Sequence, residues 1–146
     1  MQWASPKLHM SARNQNVKIR SYRDLIAWQK AMDLVVNVYS LSKTFPPEEL
    51  YALTKQVRRA VTSVPANIAE GQGRRLPREF HQFLANARGS LMELETHLEV
   101  AFRVGYIKSE QLLDIQHDLN EVGRILNGLM RSISASNRSL SSTSDI

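Results

Sequence analysis

Hydrophobic residues recur at spacings of three and four in four successive segments of the chain, which is the pattern of one face of an α-helix. The first segment stops before the Pro46-Pro47 pair and carries Leu25, Trp28, Met32, Val35 and Tyr39. The others carry, in turn, Leu50, Leu53, Val57, Ala60, Val64 and Ile68; Phe80, Leu84, Ala87, Leu91, Leu94, Leu98 and Ala101; and Leu112, Ile115, Leu119, Val122, Leu126, Leu129 and Ile133. Four such helices joined by short links predict an all-α fold, an up-down-up-down antiparallel four-helix bundle over residues 22–133.

The two ends of the chain lack this periodicity. Residues 1–21 are polar and aperiodic, and residues 134–146 are rich in serine. Neither end carries enough apolar surface to offset the entropy lost on ordering. We therefore predict a disordered N-terminal arm at 1–21 and a disordered Ser-rich tail at 134–146, both dispensable for folding.

The first helix is apolar over an arc of about 200°, whereas a surface helix needs little more than 100°. This width predicts a second partner surface, and the alternative is a deeply buried helix in a monomer. Trp28 falls within this arc, which favours burial over a role as a stacking platform for a base. Met32 and Met92 lie on apolar stripes and are expected in the core.

The second helix carries a polar ridge beside its apolar stripe, formed by Gln56, Arg59, Ser63, Asn67 and Glu70. Amides and carboxylates near a core need hydrogen-bond partners, so Asn67 and Glu70 are expected to bond a neighbouring helix or subunit. An ordinary solvated face is the alternative. The candidate subunit interface therefore comprises Trp28, Gln56, Ser63, Asn67 and Glu70. Within the same helix, Pro65 is expected to cause a kink.

Basic residues surround the link between the second and third helices. Gly71 and Gly73 are expected to end the second helix with positive φ angles, and Gly105 to end the third. Arg78 falls in the first turn of the third helix, where a positive charge is disfavoured by roughly 0.3–1 kcal/mol. The candidate anion or nucleic-acid site comprises Arg58, Arg59, Arg74, Arg75 and Arg78. The alternative is a purely structural junction, because the dipole of the second helix also favours cations at its C-terminus.

The charge of the chain is unevenly distributed. The net charge is +5, with seven basic and two acidic residues from Lys55 to Arg88, and two basic and seven acidic residues from Glu93 to Glu121. A basic region of this kind suits an anionic partner such as nucleic acid. Cysteine is absent and no apolar run reaches the length of a membrane span, so we expect a cytoplasmic protein that does not bind membranes.

Residues typical of catalysis do not form a recognisable site. A di-iron carboxylate bundle needs Glu-x-x-His pairs, and none of the four histidines follows a glutamate at that spacing. The Gly71-Gln72-Gly73 sequence lacks the flanking strand of a phosphate-binding loop. We therefore predict a protein that is not an enzyme and has no cofactor and no metal.

Several ordered motifs resemble one known family. The motifs are Trp28-Gln29-Lys30-Ala31, Gln56-Val57-Arg58-Arg59-Ala60, the segment from Ser63 to Arg75, and Ala87-Arg88-Gly89-Ser90-Leu91-Met92-Glu93-Leu94-Glu95. Over roughly residues 22–133 the chain resembles the four-helix-bundle proteins encoded in intervening sequences of bacterial 23S ribosomal RNA. The accessory variability determinant of diversity-generating retroelements is similar. The resemblance implies a homopentamer, with RNA or a reverse-transcriptase-like protein as a further partner.

The pattern and the resemblance together predict a non-catalytic, homo-oligomeric four-helix-bundle protein that binds RNA or an RNA-associated protein through its basic surface. The alternative is a protein-protein scaffold or adaptor that binds no nucleic acid. Salt-dependent retention of RNA distinguishes the two, because neutralising phosphates makes affinity fall steeply with salt.

Overall fold

The computed structural model describes the backbone of residues 19–142 and the side chains from Ile19 to Ser139. Within this range the chain forms four α-helices, with short 3-10 turns at Tyr22–Asp24 and Pro47–Glu49: α1 (Ile26–Ser42), α2 (Leu53–Gly73), α3 (Pro77–Arg103) and α4 (Ser109–Ser142). The prediction of an all-α four-helix bundle is confirmed. Of the predicted N-terminal arm, residues 1–18 lie outside the described residues, and Ser21 caps the first 3-10 turn.

The four helices enclose one hydrophobic core. Each helix packs against its neighbours in sequence, and α1 also packs against α4. The largest fully buried side chains are Leu34, Ile68, Leu84, Leu94, Leu98 and Leu126. Burying a leucine or isoleucine contributes roughly 1.5–3 kcal/mol, so these positions dominate the stability of the bundle.

Two polar contacts report the relative direction of α1 and α4. Lys30 forms an ion pair of 3.3 Å with Glu121, and Asn37, further along α1, donates a hydrogen bond of 3.2 Å to Asp118, earlier in α4. Residue numbers therefore increase along α1 in the direction in which they decrease along α4. This agrees with the predicted antiparallel arrangement for that pair of helices.

The core face of α1 differs from the one predicted. The buried residues are Ala27, Ala31, Leu34 and Val38, whereas Met32 and Tyr39 of the predicted stripe are exposed. Because α1 is apolar on more than one side, periodicity could not decide which side faces inward. Met92 on α3 is also exposed, so the prediction that Met32 and Met92 lie in the core was wrong.

The residue with positive φ after the end of α2 is Arg75 and not a glycine. Gly71 and Gly73 are both helical, and Arg75 adopts the left-handed conformation with φ of 61°. Its N–H donates to the carbonyl of Gln72, which satisfies one of the last carbonyls of the helix. The prediction of positive φ at the two glycines was therefore wrong. Gly105 follows the end of α3, as predicted, and has φ of 88°.

α4 continues to Ser142, past the boundary predicted at Ile133. The backbone of residues 134–142 is helical, so this part of the predicted tail differs from the expectation of disorder. Extending a helix costs less than nucleating one, because each added residue gains a hydrogen bond. Within these turns the hydroxyl of Ser136 donates to the carbonyl of Ser132 at 3.0 Å.

Candidate nucleic-acid and subunit interfaces

The junction between α2 and α3 exposes three of the predicted arginines, Arg74, Arg75 and Arg78. The guanidinium of Arg74 lies 3.2 Å from the carboxylate of Glu70 and 5.3 Å from the ring centre of Phe83. The structure thus pairs a residue of the predicted anion site with a residue of the predicted subunit interface. Arg75 and Arg78 are the better placed of the three to meet an external anion.

The two arginines on the body of α2 differ in their surroundings. Arg58 is half-buried, its Nε donates to the hydroxyl of Ser42 at 2.9 Å, and its guanidinium lies 5.0 Å from the ring centre of Tyr39. These contacts link α2 to α1, so Arg58 has a structural role. Arg59 is exposed on the surface of α2.

The polar ridge of α2 satisfies several of its hydrogen bonds within the helix itself. The hydroxyl of Ser63 donates to the carbonyl of Ala60 at 2.8 Å, and the amide of Asn67 donates to the carbonyl of Ser63 at 2.7 Å. Gln56, Ser63 and Asn67 are half-buried. Asn67 retains its side-chain oxygen and one N–H for a further partner, because the amide has two donors and an acceptor.

Part of the outward side of α1 is apolar and exposed to solvent in a single chain. Val36 is 65% exposed, Met32 and Tyr39 are exposed on the adjacent turns, and Ile26 is exposed on another side of the helix. Trp28 is half-buried at the α1 N-terminus, with its ring edge-on to Tyr22 at 5.3 Å and the guanidinium of Arg23 at 5.3 Å from its centre. Packing of this kind favours a structural role for Trp28 over a free stacking platform.

The α2–α3 junction adjoins the C-terminal part of α4. A groove of about 390 Å³ separates them, lined on one side by Arg75 and Phe80 and on the other by Leu129, Ile133 and Ser136. A second groove, of about 350 Å³, runs between α3 and α4. Its lining residues are Arg88, Leu91, Met92, Glu95, Leu119, Asn120, Gly123, Arg124 and Asn127.

The two arginines that line the second groove, Arg88 and Arg124, were not among the predicted site residues. Arg88 donates a hydrogen bond of 3.2 Å to Asn127 across the second groove, which Arg124 also lines. The available signal was the spacing of Arg124, Arg131 and Arg138, each seven residues after the last. The fourth helix was predicted to end at Ile133, so Arg138 was not placed on the same helix as Arg124 and Arg131.

At the opposite end of the bundle, Tyr106 bonds to a glutamate of the α1–α2 link. The hydroxyl of Tyr106 donates to Glu49 at 2.9 Å, and the same carboxylate accepts the backbone N–H of Leu53 at the start of α2. The hydrogen bond to Glu49, burial, and the charges of Glu49 and Glu48 raise the pKa of Tyr106 above its ordinary value. This contact ties the α3–α4 link to the beginning of α2.

The described part of the chain contains no group of three or more histidine, cysteine, aspartate or glutamate residues that could hold a metal ion. Across residues 19–142, none of the helices combines the length and the apolar character needed to cross a membrane.

The chain matches the family of 23S rRNA-intervening sequence proteins over residues 23–128, which covers α1, α2, α3 and most of α4. It belongs to the 23S rRNA-intervening sequence protein family. The match ends at residue 128, before Arg131 and Arg138.

One solved structure of a similar protein comes from Bacteroides thetaiotaomicron and is described as a protein of unknown function from the S23 ribosomal protein family. It superposes on this 23S rRNA-intervening sequence protein with a TM-score of 0.68 at 28% sequence identity. The alignment covers 73% of this chain and 96% of that chain. No curated protein matches the chain.

Proposed function

We propose that this member of the 23S rRNA-intervening sequence family is a non-catalytic homo-oligomer that binds RNA through a basic surface. In one protomer this surface comprises Arg59, Arg74, Arg75 and Arg78. The observation that carries the proposal is that one protomer has both exposed apolar residues on α1 and a separate, exposed arginine cluster at the α2–α3 junction. The cytoplasm is the proposed compartment.

Assembly is supported by the apolar residues that one chain leaves in water. Monomeric proteins rarely expose large contiguous apolar patches unless the patch binds a partner, and α1 exposes Met32, Val36 and Tyr39 at spacings of four and three residues. The half-buried ridge of α2, with Gln56, Ser63 and Asn67, provides polar groups for the same contact between copies. The proposed number of five subunits rests on the family resemblance.

RNA binding is supported by the arrangement of charge. Arg78 is exposed in the first turn of α3, where the helix dipole disfavours a cation, so helix stability does not explain its presence. In an oligomer the junction repeats, and several weak phosphate contacts then act together through a high effective concentration.

A protein scaffold without nucleic-acid binding is the second candidate. It is favoured by the ion pair of Glu70 with Arg74, which neutralises part of the basic cluster within one chain. In that case the partner is a protein, and the similarity to the accessory determinant of diversity-generating retroelements points to a reverse-transcriptase-like one.

Assembly is tested by light scattering coupled to size exclusion. The parent is expected at about five times the protomer mass of 16.6 kDa, and Val36→Glu is expected to reduce that mass. Leu113→Glu on α4 is the matched control, because both side chains are 65% exposed. A monomeric parent at micromolar concentration would contradict the proposal, and so would equal effects of the two variants.

RNA binding is tested by measuring affinity against salt for the parent and for the triple variant Arg74→Gln, Arg75→Gln, Arg78→Gln. We expect the variant to bind more weakly and with a shallower salt dependence while its fold and mass are unchanged. Replacing Lys43, Arg103 and Lys108 by glutamine removes the same charge at the other end of the bundle and should have little effect. A parent that retains no RNA at low salt favours the protein scaffold.

A further inference from the structure

The second half of α4 presents three arginines in a row along its axis, Arg124, Arg131 and Arg138, which we call the α4 arginine row. All three are exposed. Seven residues span almost two helical turns, so successive members differ in direction by only about 20°. At 1.5 Å per residue they stand about 10.5 Å apart, and the row is about 21 Å long.

The helix that carries this row is consistently basic along the row's length. Residues 122–142 contain no aspartate or glutamate, whereas the first half of α4 carries Glu110, Asp114, Asp118 and Glu121. α4 therefore changes from acidic to basic along its length. The turns between the three arginines hold no carboxylate.

One arginine from another helix adjoins the row. Arg88 of α3 crosses to Asn127 and lines the same groove as Arg124. The groove beside Arg75 lies on a different side of α4, because Ser136 is two residues before Arg138 and is rotated about 160° away from it around the helix axis. The row and the junction are thus separate basic surfaces.

We propose that the α4 arginine row binds the phosphate backbone of base-paired RNA. This inference rests on the proposed RNA-binding function and assigns it a site that the sequence analysis did not include. The remaining polar residues near the row are asparagines and serines, such as Asn120, Asn127 and Ser134, whose side chains suit contacts to phosphate and sugar.

A protein partner fits this face less well than RNA. Protein interfaces are built around an apolar centre, whereas on α4 no large hydrophobic side chain is exposed between Asp114 and Ser139, and Met92 of α3 is an isolated exposed hydrophobic residue in the groove beside Arg124. Paired RNA fits better than single strands for a related reason. Single-stranded RNA is held by stacking bases on aromatic rings, and α4 contains no phenylalanine, tyrosine or tryptophan.

Packing of the bundle does not account for the arginines at the end of the row. Among the described side chains of α4, Met130 is the last buried one, and those that follow are exposed apart from half-buried Ile133 and Ser134. Serine and asparagine are weak helix formers, so this extension gains little from intrinsic propensity. Arg131 and Arg138 also lie beyond the region that matches the family.

The test measures binding of the full chain to a fluorescein-labelled 20-base-pair RNA duplex from 50 to 200 mM salt, with a 20-nucleotide oligouridine for comparison. The variant Arg124→Gln, Arg131→Gln, Arg138→Gln is expected to lower the slope of log affinity against log salt by about 2 to 3. Lysine at the same three positions should keep the slope, because the charges remain. The glutamine variant at Lys43, Arg103 and Lys108 serves as the charge-matched control.

The outcomes separate this inference from the function on which it rests. A parent that binds neither RNA overturns both. If the parent binds the duplex and the α4 variant has the same salt slope, the inference about the row is overturned. If the junction variant then binds the duplex more weakly, the proposed RNA binding at Arg74, Arg75 and Arg78 stands. Tighter binding of oligouridine than of the duplex, or a changed assembly mass in the α4 variant, also overturns the inference.

Discussion

The Nε of Arg58 donates a hydrogen bond of 2.9 Å to the hydroxyl of Ser42, and this bond joins α2 to α1. Ser42 is a polar residue buried to 2% exposure, and its hydroxyl also donates to the carbonyl of Tyr39. The guanidinium of Arg58 covers the ring of the same tyrosine. An arginine expected at an RNA surface is thus part of the packing between two helices.

Replacing Arg58 should therefore lower the stability of the bundle. Arg58→Gln loses both the bond to Ser42 and the contact with Tyr39, and we expect a loss of roughly 1–3 kcal/mol in the free energy of unfolding by urea. Arg59→Gln is the neighbouring control, and it should change stability by less than about 0.5 kcal/mol because Arg59 is exposed. Equal effects of the two variants would contradict the structural role of Arg58.

Gly71 is required by the close approach of α2 and α3. A Cβ at Gly71 would lie 2.6 Å from the Cβ of Phe83, so Gly71→Ala must push the two helices apart and should cost about 1–3 kcal/mol. Gly89 lies within α3 with no atom within 4 Å of such a Cβ, and Gly89→Ala should stabilise the protein by up to about 1 kcal/mol. Thermal unfolding of the two variants should shift in opposite directions.

Arg75 adopts a conformation that costs energy for any residue with a Cβ. Because Arg75 has φ of 61°, replacing it by glycine should raise the free energy of unfolding by about 1 kcal/mol. Arg75→Gln removes the charge while keeping the strain, so it should leave stability nearly unchanged. If both variants bind RNA more weakly than the parent, the charge of Arg75 contributes to binding and accounts for an arginine at this strained position. A glycine variant that is less stable than the glutamine variant would contradict the argument.

The raised pKa of Tyr106 predicts a loss of stability in alkali. Below the ordinary tyrosine pKa of 10.0 the hydroxyl is protonated in both folded and unfolded chains, so its contribution is complete. Above that pH the unfolded chain releases the proton first, and stability falls until the folded pKa is passed. Tyr106→Phe should therefore show a smaller decline in urea midpoint above about pH 10 than the parent.

Removal of residues 134–146 separates folding from binding. Met130 is the last buried residue among the described side chains, so a chain ending at Ile133 should melt within a few degrees of the full chain. It lacks Arg138, and the salt slope for duplex RNA should decrease by about 1. A large fall in melting temperature would show that the last turns of α4 stabilise the bundle.

The predictions from sequence succeeded where a local pattern has one structural meaning. The stripe from Leu84 to Leu98 on α3 has polar residues on its other sides, and all of its leucines are buried. Gly105 was expected to end α3 because glycine adopts positive φ without strain, and it does. The basic cluster could be found by counting charges, and the four-residue spacing of Glu70 and Arg74 also indicates their ion pair, although the contact of Arg74 with Phe83 could not be predicted.

The sequence by itself determined the number of helices, the residues that separate them and the class of fold, because hydrophobic spacing and helix-ending residues act over one or two turns. Only the tertiary structure decided which side of α1 faces inward, that Arg58 packs against Ser42 and Tyr39, and that Gly71 meets Phe83. These outcomes depend on where other helices lie. No periodicity within a single helix encodes the distance to its neighbour.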